Sequence, residues 1–289
     1  LLYGQSATGL GSIVTSTNVN ATSTKLSILA AQWSAGLWTP LEGAGLDVYT
    51  SGGTALNTAG AVVVSAIDIV NKTITVTGAT GDITAIDNGT DVNGGYTRFY
   101  AAGTNGADEA VGLDKIFLNT GTLFGIDAAT YSLWSANTFP VDGALTLAKI
   151  QEGVAIACAR GLSEEATLYV SPTVWQQLST EQVAYRMMDS SYSAKKLING
   201  FEALVFYSQN GKISVVAHKY AKDGEAFLFP TDRACRIGSS DISFNIPGTD
   251  NGQIFIQNPT TMGFTFRIFS QQSLLVTKPA VCVKFTGIA

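Results

Sequence analysis

A mixed α+β fold is what this chain predicts, on three features. From residue 46 to about 100, β-branched residues recur in partial alternation, with Gly, Asn and Asp at the breaks. Residues 146–178 carry helix, strand and helix signals in immediate succession. After residue 200 the chain turns to short alternating runs, the pattern of antiparallel strands. With 289 residues it is long enough for two domains, each with its own core.

The elements follow in order. Residues 1–24, LLYGQSATGLGSIVTSTNVNATST, are small, polar and Gly-rich with no sustained period, and read as a connecting segment or arm. In KLSILAAQWSAGLW, Trp33 and Trp38 read as core or interface residues, and TPLEGAG then turns the chain. LDVYT, AVVVSAIDI and KTITVTG read as strands with a hairpin bend at Val70-Asn71-Lys72, and GDITAIDNG and TRFYAAG continue a small twisted sheet or barrel. The acidic residues Asp68, Asp82, Asp87, Asp91, Asp108, Glu109, Asp114 and Asp127 lack the alternate spacing of a calcium loop and read as a solvated face.

Residues 111–142 have apolar residues without a period, so Phe117, Phe124, Tyr131, Trp134 and Phe139 read as stitching between two units. The clearest helix is 146–160, with Leu147, Ile150, Val154 and Cys158 near one face and Gly161 as its stop. ATLYV follows as a buried strand. Ser171-Pro172 then supplies an N-cap and a first-turn proline for a helix through Val174, Trp175 and Leu178, with a further short helix expected over 179–188. After a polar loop at 190–193, FEALVFYSQNGKISVVAHKY reads as a hairpin bending at Asn210-Gly211, and AFLFP, ISFNI, QIFIQ, FTFRIF and KFTGIA as strands.

Composition narrows the function. Charged residues are 13% of the chain beside 46% hydrophobic ones, about half the charge of an ordinary soluble domain. Such a surface is either largely covered by neighbours or unusually rich in Ser and Thr. The net charge of -5 argues against a phosphate-binding groove. Residues 1–130 hold ten acidic and four basic residues and the remainder twelve and thirteen, so the two parts face different surroundings. Cys158, Cys235 and Cys282 lack the spacing of a metal knuckle or redox pair and read as free, buried thiols. His218 is the one histidine and reads as a satisfied or surface residue. Glu164 and Glu165 sit in one turn, whereas paired catalytic carboxylates come from separated elements facing a cleft. The expectation is a chain without catalytic, metal or cofactor sites and without a membrane segment. Phe264, Phe266 and Phe269 lie in an apolar strand pattern around Arg267 and read as core or subunit contact.

In order along the chain, LLYGQSATGLGS, LAAQWSAGLWTPLEGAGLDVY, GLDKIFLNTGTLFGI, LTLAKIQEGVAIACARGLSEEATLYVSPTVWQQL, DSSY, FYSQNGKISVVAHKYAKDGEAFLFP and FRIFSQQSLLVTKPAVCVKFTG resemble the major capsid proteins of tailed bacteriophages with the Hong Kong 97-like fold. The resemblance implies the end of a spine helix and a Gly-rich connection over 1–41, an inserted β-rich module over 42–110, a bridge over 111–143, an axial domain over 144–245 and peripheral-domain strands over 246–289. It also implies that the N-terminal arm, the extended loop and most of the spine helix precede Leu1. The implied partners are copies of the chain in pentamers and hexamers, then portal, scaffolding or cement proteins, and packaged double-stranded DNA held without sequence-specific binding. The implied place is the virion, after assembly in the host cytoplasm. Leu147, Ile150, Val154, Trp175, Phe264, Phe266 and Phe269 are then the residues expected to keep the shape that subunit contacts need, mainly from domain interiors. The alternatives are a tail, baseplate or other virion component, and a carbohydrate-binding module using Trp33, Trp38 or Trp134 as a sugar platform.

Overall fold

The Thr- and Asn-rich start of the chain, expected as an arm, folds as a hairpin in which β1 (Ile13–Asn20) pairs antiparallel with β2 (Ser23–Ile28). Only Ile13 of β1 is buried, so this edge strand rests on backbone pairing and carries no apolar alternation to read. The computed structural model describes residues 2–50, 54–87, 98–101, 110–187, 204–209, 211–244, 255–258, 260–266 and 268–289. Asp91, Asp108, Glu109, the 190–193 loop, Asn210 and Arg267 lie outside the described residues. Residues 2–12, expected to include the end of a long helix, run through successive turns.

After α1 (Ala35–Trp38) come β3 (Gly45–Tyr49), β4 (Val62–Asp68), β5 (Thr73–Thr77), α2 (Thr80–Asp87) and β6 (Arg98–Ala101). They complete an antiparallel sheet in the order β1-β2-β5-β4-β3-β6, so the sheet begins at residue 13 instead of near 42. The expected bend at 70–72 joins β4 to β5, with Lys72 at φ 54. Leu26, Leu46, Val48, Val62, Val64, Ile74 and Val76 fill one core, closed by Trp33 and Trp38 stacked at 6.4 Å. GDITAIDNG, expected as a strand, supplies α2, because Ile83 and Ile86 at a spacing of three both enter this core. Asp82, in the first turn, is buried and accepts from the backbone N–H groups of Thr58 (2.9 Å) and Ala59 (3.2 Å), as the positive helix end favours.

The second half starts with α3 (Leu113–Phe117), β7 (Thr122–Leu123), β8 (Ile126–Asp127), β9 (Asn137–Gly143), α4 (Leu147–Ala159), β10 (Ala166–Val170) and α5 (Pro172–Met187). β11 (Leu204–Ser208), β12 (Gly211–Ala217), β13 (Glu225–Phe229), β14 (Ala234–Ser243), β15 (Phe255–Gln257), β16 (Phe264–Phe266), β17 (Phe269–Val276) and β18 (Val283–Ile288) follow. The second sheet has the order β11-β12-β10-β13-β18-β9, with β10/β12 and β18/β9 parallel and the other pairs antiparallel. The end of the chain therefore lies inside this sheet, between β13 and β9, and not among the separate strands expected after residue 246.

Local signals hold well here. Thr146 caps α4 by accepting from Lys149 N–H, and Gly161 ends it at φ +93. Ser171 Oγ accepts from Val174 N–H at 3.2 Å, and α5 runs unbroken to Met187 where two helices were expected. Gly211 opens β12 at φ 116. Gly153, on the buried face of α4, lets the helix approach Phe285, whose Cζ would lie 2.5 Å from an added Cβ. The helix-propensity gain of Gly153→Ala, about 1 kcal/mol, is outweighed by overpacking of about 1–3 kcal/mol. Urea titration should therefore place Gly153→Ala below the parent in stability.

The two sheets meet at the 218–224 loop. Asp223 N–H donates to Trp33 O at 3.0 Å, Gly224 N–H to Ala31 O at 2.6 Å, and Lys72 pairs with Asp223 at 3.0 Å. Gly36 packs so closely on Lys219 that an added Cβ would lie 2.3 Å from its carbonyl oxygen.

Candidate assembly surface

Among the described residues β14 and β17 pair only with each other and form a two-stranded ribbon separate from the second sheet, from Ala234↔Val276 at the root to Ser243↔Phe269. Ten residues of strand reach about 33 Å. The root is pinned by Arg233, whose Nε donates to Glu164 Oε2 at 2.8 Å while Nη2 bonds Oε1. Glu164, expected in a solvated turn, thus holds the ribbon. Gly238 sits at a register shift where the strands touch so closely that an added Cβ would meet Gln271 O at 1.9 Å.

Beyond the ribbon, β15 and β16 form a second two-stranded piece bearing a cluster of aromatic rings. Phe244 and Phe266 lie 4.9 Å apart, Phe255 and Phe266 5.9 Å, and Phe255 and Phe264 6.4 Å. Phe255 is 62% exposed, Phe264 70%, Phe266 48% and Met262 fully exposed. A two-stranded piece is marginal in water by itself, and contiguous exposed apolar residues mark contact surfaces.

At the root of the ribbon lies an apolar cleft of about 630 Å³, lined by Leu2, Leu10, Leu113, Tyr169, His218, Phe229, Ala234 and Leu274 among others. His218 packs edge-on to Tyr169 at 6.1 Å, and burial, then the charge of Lys219, pull its pKa below the ordinary value. Its Nδ1 is buried without a hydrogen-bond partner among the described residues.

Behind the cleft is a buried ionic cluster. Lys284 on β18 contacts Asp114 of α3 and lies 3.0 Å from Glu225 Oε1 on β13. Ser6 Oγ donates to Asp114 Oδ2 at 2.5 Å. Lys222, fully buried, donates from Nζ to Thr8 Oγ1 (3.0 Å) and Gly9 O (2.8 Å), lies over the Tyr3 ring at 4.3 Å, and donates its backbone N–H to Tyr3 Oη. Burial pulls Lys222 down to about 8 against the opposing charges of Glu225 and Asp114. Burial also works against the Lys284 ammonium, but the charges of Glu225 and Asp114 outweigh it and raise its pKa. Burial, then the charge of Glu225, raises Tyr3. Because the folded pKa of Lys222 is depressed, the unfolded chain binds more protons between pH 8 and 10.5, and this lysine's contribution to stability rises with pH across that window. The difference in unfolding free energy between the parent and Lys222→Met should therefore grow in the parent's favour from pH 8 upward, measured by urea titration. Taking that difference cancels the slope of Cys282, pushed up to about 12 by burial.

Among solved structures the likeness is partial. The solved Cyanophage A-1(L) capsid asymmetric unit contains a chain similar in structure to this one. The match has a TM-score of 0.45 at 14% identity and covers 64% of this chain and 61% of that chain, less than two thirds of its length. No protein-family model and no curated protein sequence matches.

The structure divides the residues singled out from sequence. Ile150 and Val154 are buried, and Leu147 and Trp175 are partly buried against the same core. Phe264 and Phe266, expected mainly in an interior, lie at the surface, on a piece that pairs with no further strand among the described residues. Phe269 lies on β17 opposite Ser243. Of the three thiols expected to be buried, Cys282 is buried, Cys158 half-buried and Cys235 exposed on the ribbon. Asp82 and Asp114, expected on a solvated face, are buried with donors. Among the described residues no group of three or more His, Cys, Asp or Glu is placed to hold a metal ion, and no helix is long and apolar enough to cross a membrane. Sequence reasoning missed Lys222, Lys284 and Glu225. The available signal was a lysine between Val283 and Phe285, in a strand whose neighbours on both sides face a core.

Proposed function

We propose that this chain is a major capsid protein with the Hong Kong 97-like fold, which self-assembles through pentamers and hexamers into an icosahedral shell around double-stranded DNA. The observation that carries the reading is the two-stranded piece β15–β16 with its exposed Phe255, Phe264 and Phe266. A monomer gains nothing from placing aromatic rings in water on a two-stranded support, whereas a subunit uses them to bury area against a neighbour.

In this reading the second sheet, with α4 and α5, is the axial domain, the ribbon belongs to the peripheral domain, and the first sheet is the inserted module. Head-to-tail contacts of this kind close into rings only at compatible rotations. DNA is enclosed without a basic groove, as the net charge of -5 requires. Portal, scaffolding or cement proteins are further partners, and the virion, assembled in the host cytoplasm, is the location. Electron microscopy of natively isolated material, with intact-mass analysis of its chains, tests the proposal. Closed icosahedral particles containing this chain are expected; tubes, open fibres or monomers alone would overturn it.

A further inference from the structure

The cluster of Lys284, Asp114 and Glu225 does more than pair charges. Lys284 and Asp114 side chains are each only 3% exposed, their reacting groups are in contact, and Glu225 Oε1 lies 3.0 Å from the same Nζ. The rings of Phe227, with Nζ 5.7 Å from its centroid, and of Phe117, 5.7 Å from Phe227, help enclose them. This arrangement comprises a nucleophile, a carboxyl carbon and a proton carrier in an apolar enclosure, held by elements far apart in sequence. We propose that Lys284 and Asp114 condense into an intrachain isopeptide bond, with Glu225 as the catalytic proton carrier.

The chemistry balances without a co-reactant. Proton transfer from the ammonium to the Asp114 carboxylate gives an amine and a neutral acid; the two neighbouring carboxylates hold Lys284 as the ammonium, so this transfer is the uphill step of the sequence. Nζ attacks Cγ and forms the N–C bond. Glu225 takes one proton from Nζ and returns it to the departing oxygen, the Cγ–O bond breaks with its electron pair on that oxygen, and water leaves. Glu225 ends as it began. Its Oε2 is buried, and Tyr3 neighbours the same carboxylate. Ser6 Oγ holds Oδ2, the oxygen that stays as the amide carbonyl. Condensation removes one buried positive and one buried negative charge, and leaves Lys222 and Glu225 to balance each other. Lys222 is not the nucleophile, because its Nζ is engaged by Thr8 and Gly9. The inference rests on this core alone and is independent of the assembly reading.

Denatured intact-mass measurement of the purified chain tests it. The parent is expected about 18 Da below its sequence mass, one water lost, with a branched proteolytic peptide joining the Asp114 and Lys284 segments. Glu225→Ala is expected at its full mass. Asp114→Asn, losing ammonia in place of water, is expected to reach the same final mass as the parent. A parent at full mass, with both segments recovered as linear peptides, overturns the proposal whatever the variants do. A mass deficit whose peptides map it elsewhere in the chain overturns it equally.

Discussion

Replacing Phe255, Phe264 and Phe266 together with serine is expected to abolish particle formation while leaving the subunit folded. The three rings are 62%, 70% and 48% exposed, and among the described residues none of them belongs to either core. Their removal therefore costs the isolated subunit little, within about 0.5 kcal/mol for each exposed substitution. At an interface the same rings would act as aromatic anchors, each worth about 2 kcal/mol or more, so losing three lowers association by several orders of magnitude at each contact. Sedimentation velocity should show subunits in place of particles, and circular dichroism an unchanged melting transition. Particles that form normally from the triple variant would remove the ribbon from the assembly contact.

Lys284→Met is expected to be the most damaging single change in the second core, at about 3–5 kcal/mol. Methionine replaces the lysine stem against Phe227, so the loss reports what the nitrogen makes with Asp114, as ion pair or as amide, and not a cavity. Asp114, 3% exposed, is then left with Ser6 as its hydrogen-bond donor and without the cation that contacted it. Adding Asp114→Leu should recover much of the loss, because an apolar pair of similar volume does not bear the desolvation of a lone carboxylate. Chemical denaturation of the two single variants and the double variant gives the coupling directly. Additive losses would mean that the two groups do not act as a pair.

Both expectations concern features the sequence signals faintly. The ribbon strands were legible as alternating runs, but FTF reads equally as core or contact, and only the strand's lack of a third partner sends its rings outward. The ionic cluster gathers residues 6, 114, 222, 225 and 284 from five places in the chain, a separation that no local pattern spans.

What the sequence determined by itself is the set of elements whose signals are local. α4 between its Thr146 cap and Gly161, β10, the Ser171 start of α5 and the β11–β12 hairpin follow from apolar period, capping and turn chemistry over a few residues. The scarcity of charge and the single histidine likewise follow from composition. The tertiary structure alone decided the rest. β1 is a strand because β2 is beside it, not because its side chains are buried. α2 is a helix because two isoleucines three apart find one core. β18 lies between β13 and β9, which places Lys284 within reach of two carboxylates. Each of these depends on backbone pairing or burial between distant segments, whose free energy exists only once the partner is in place.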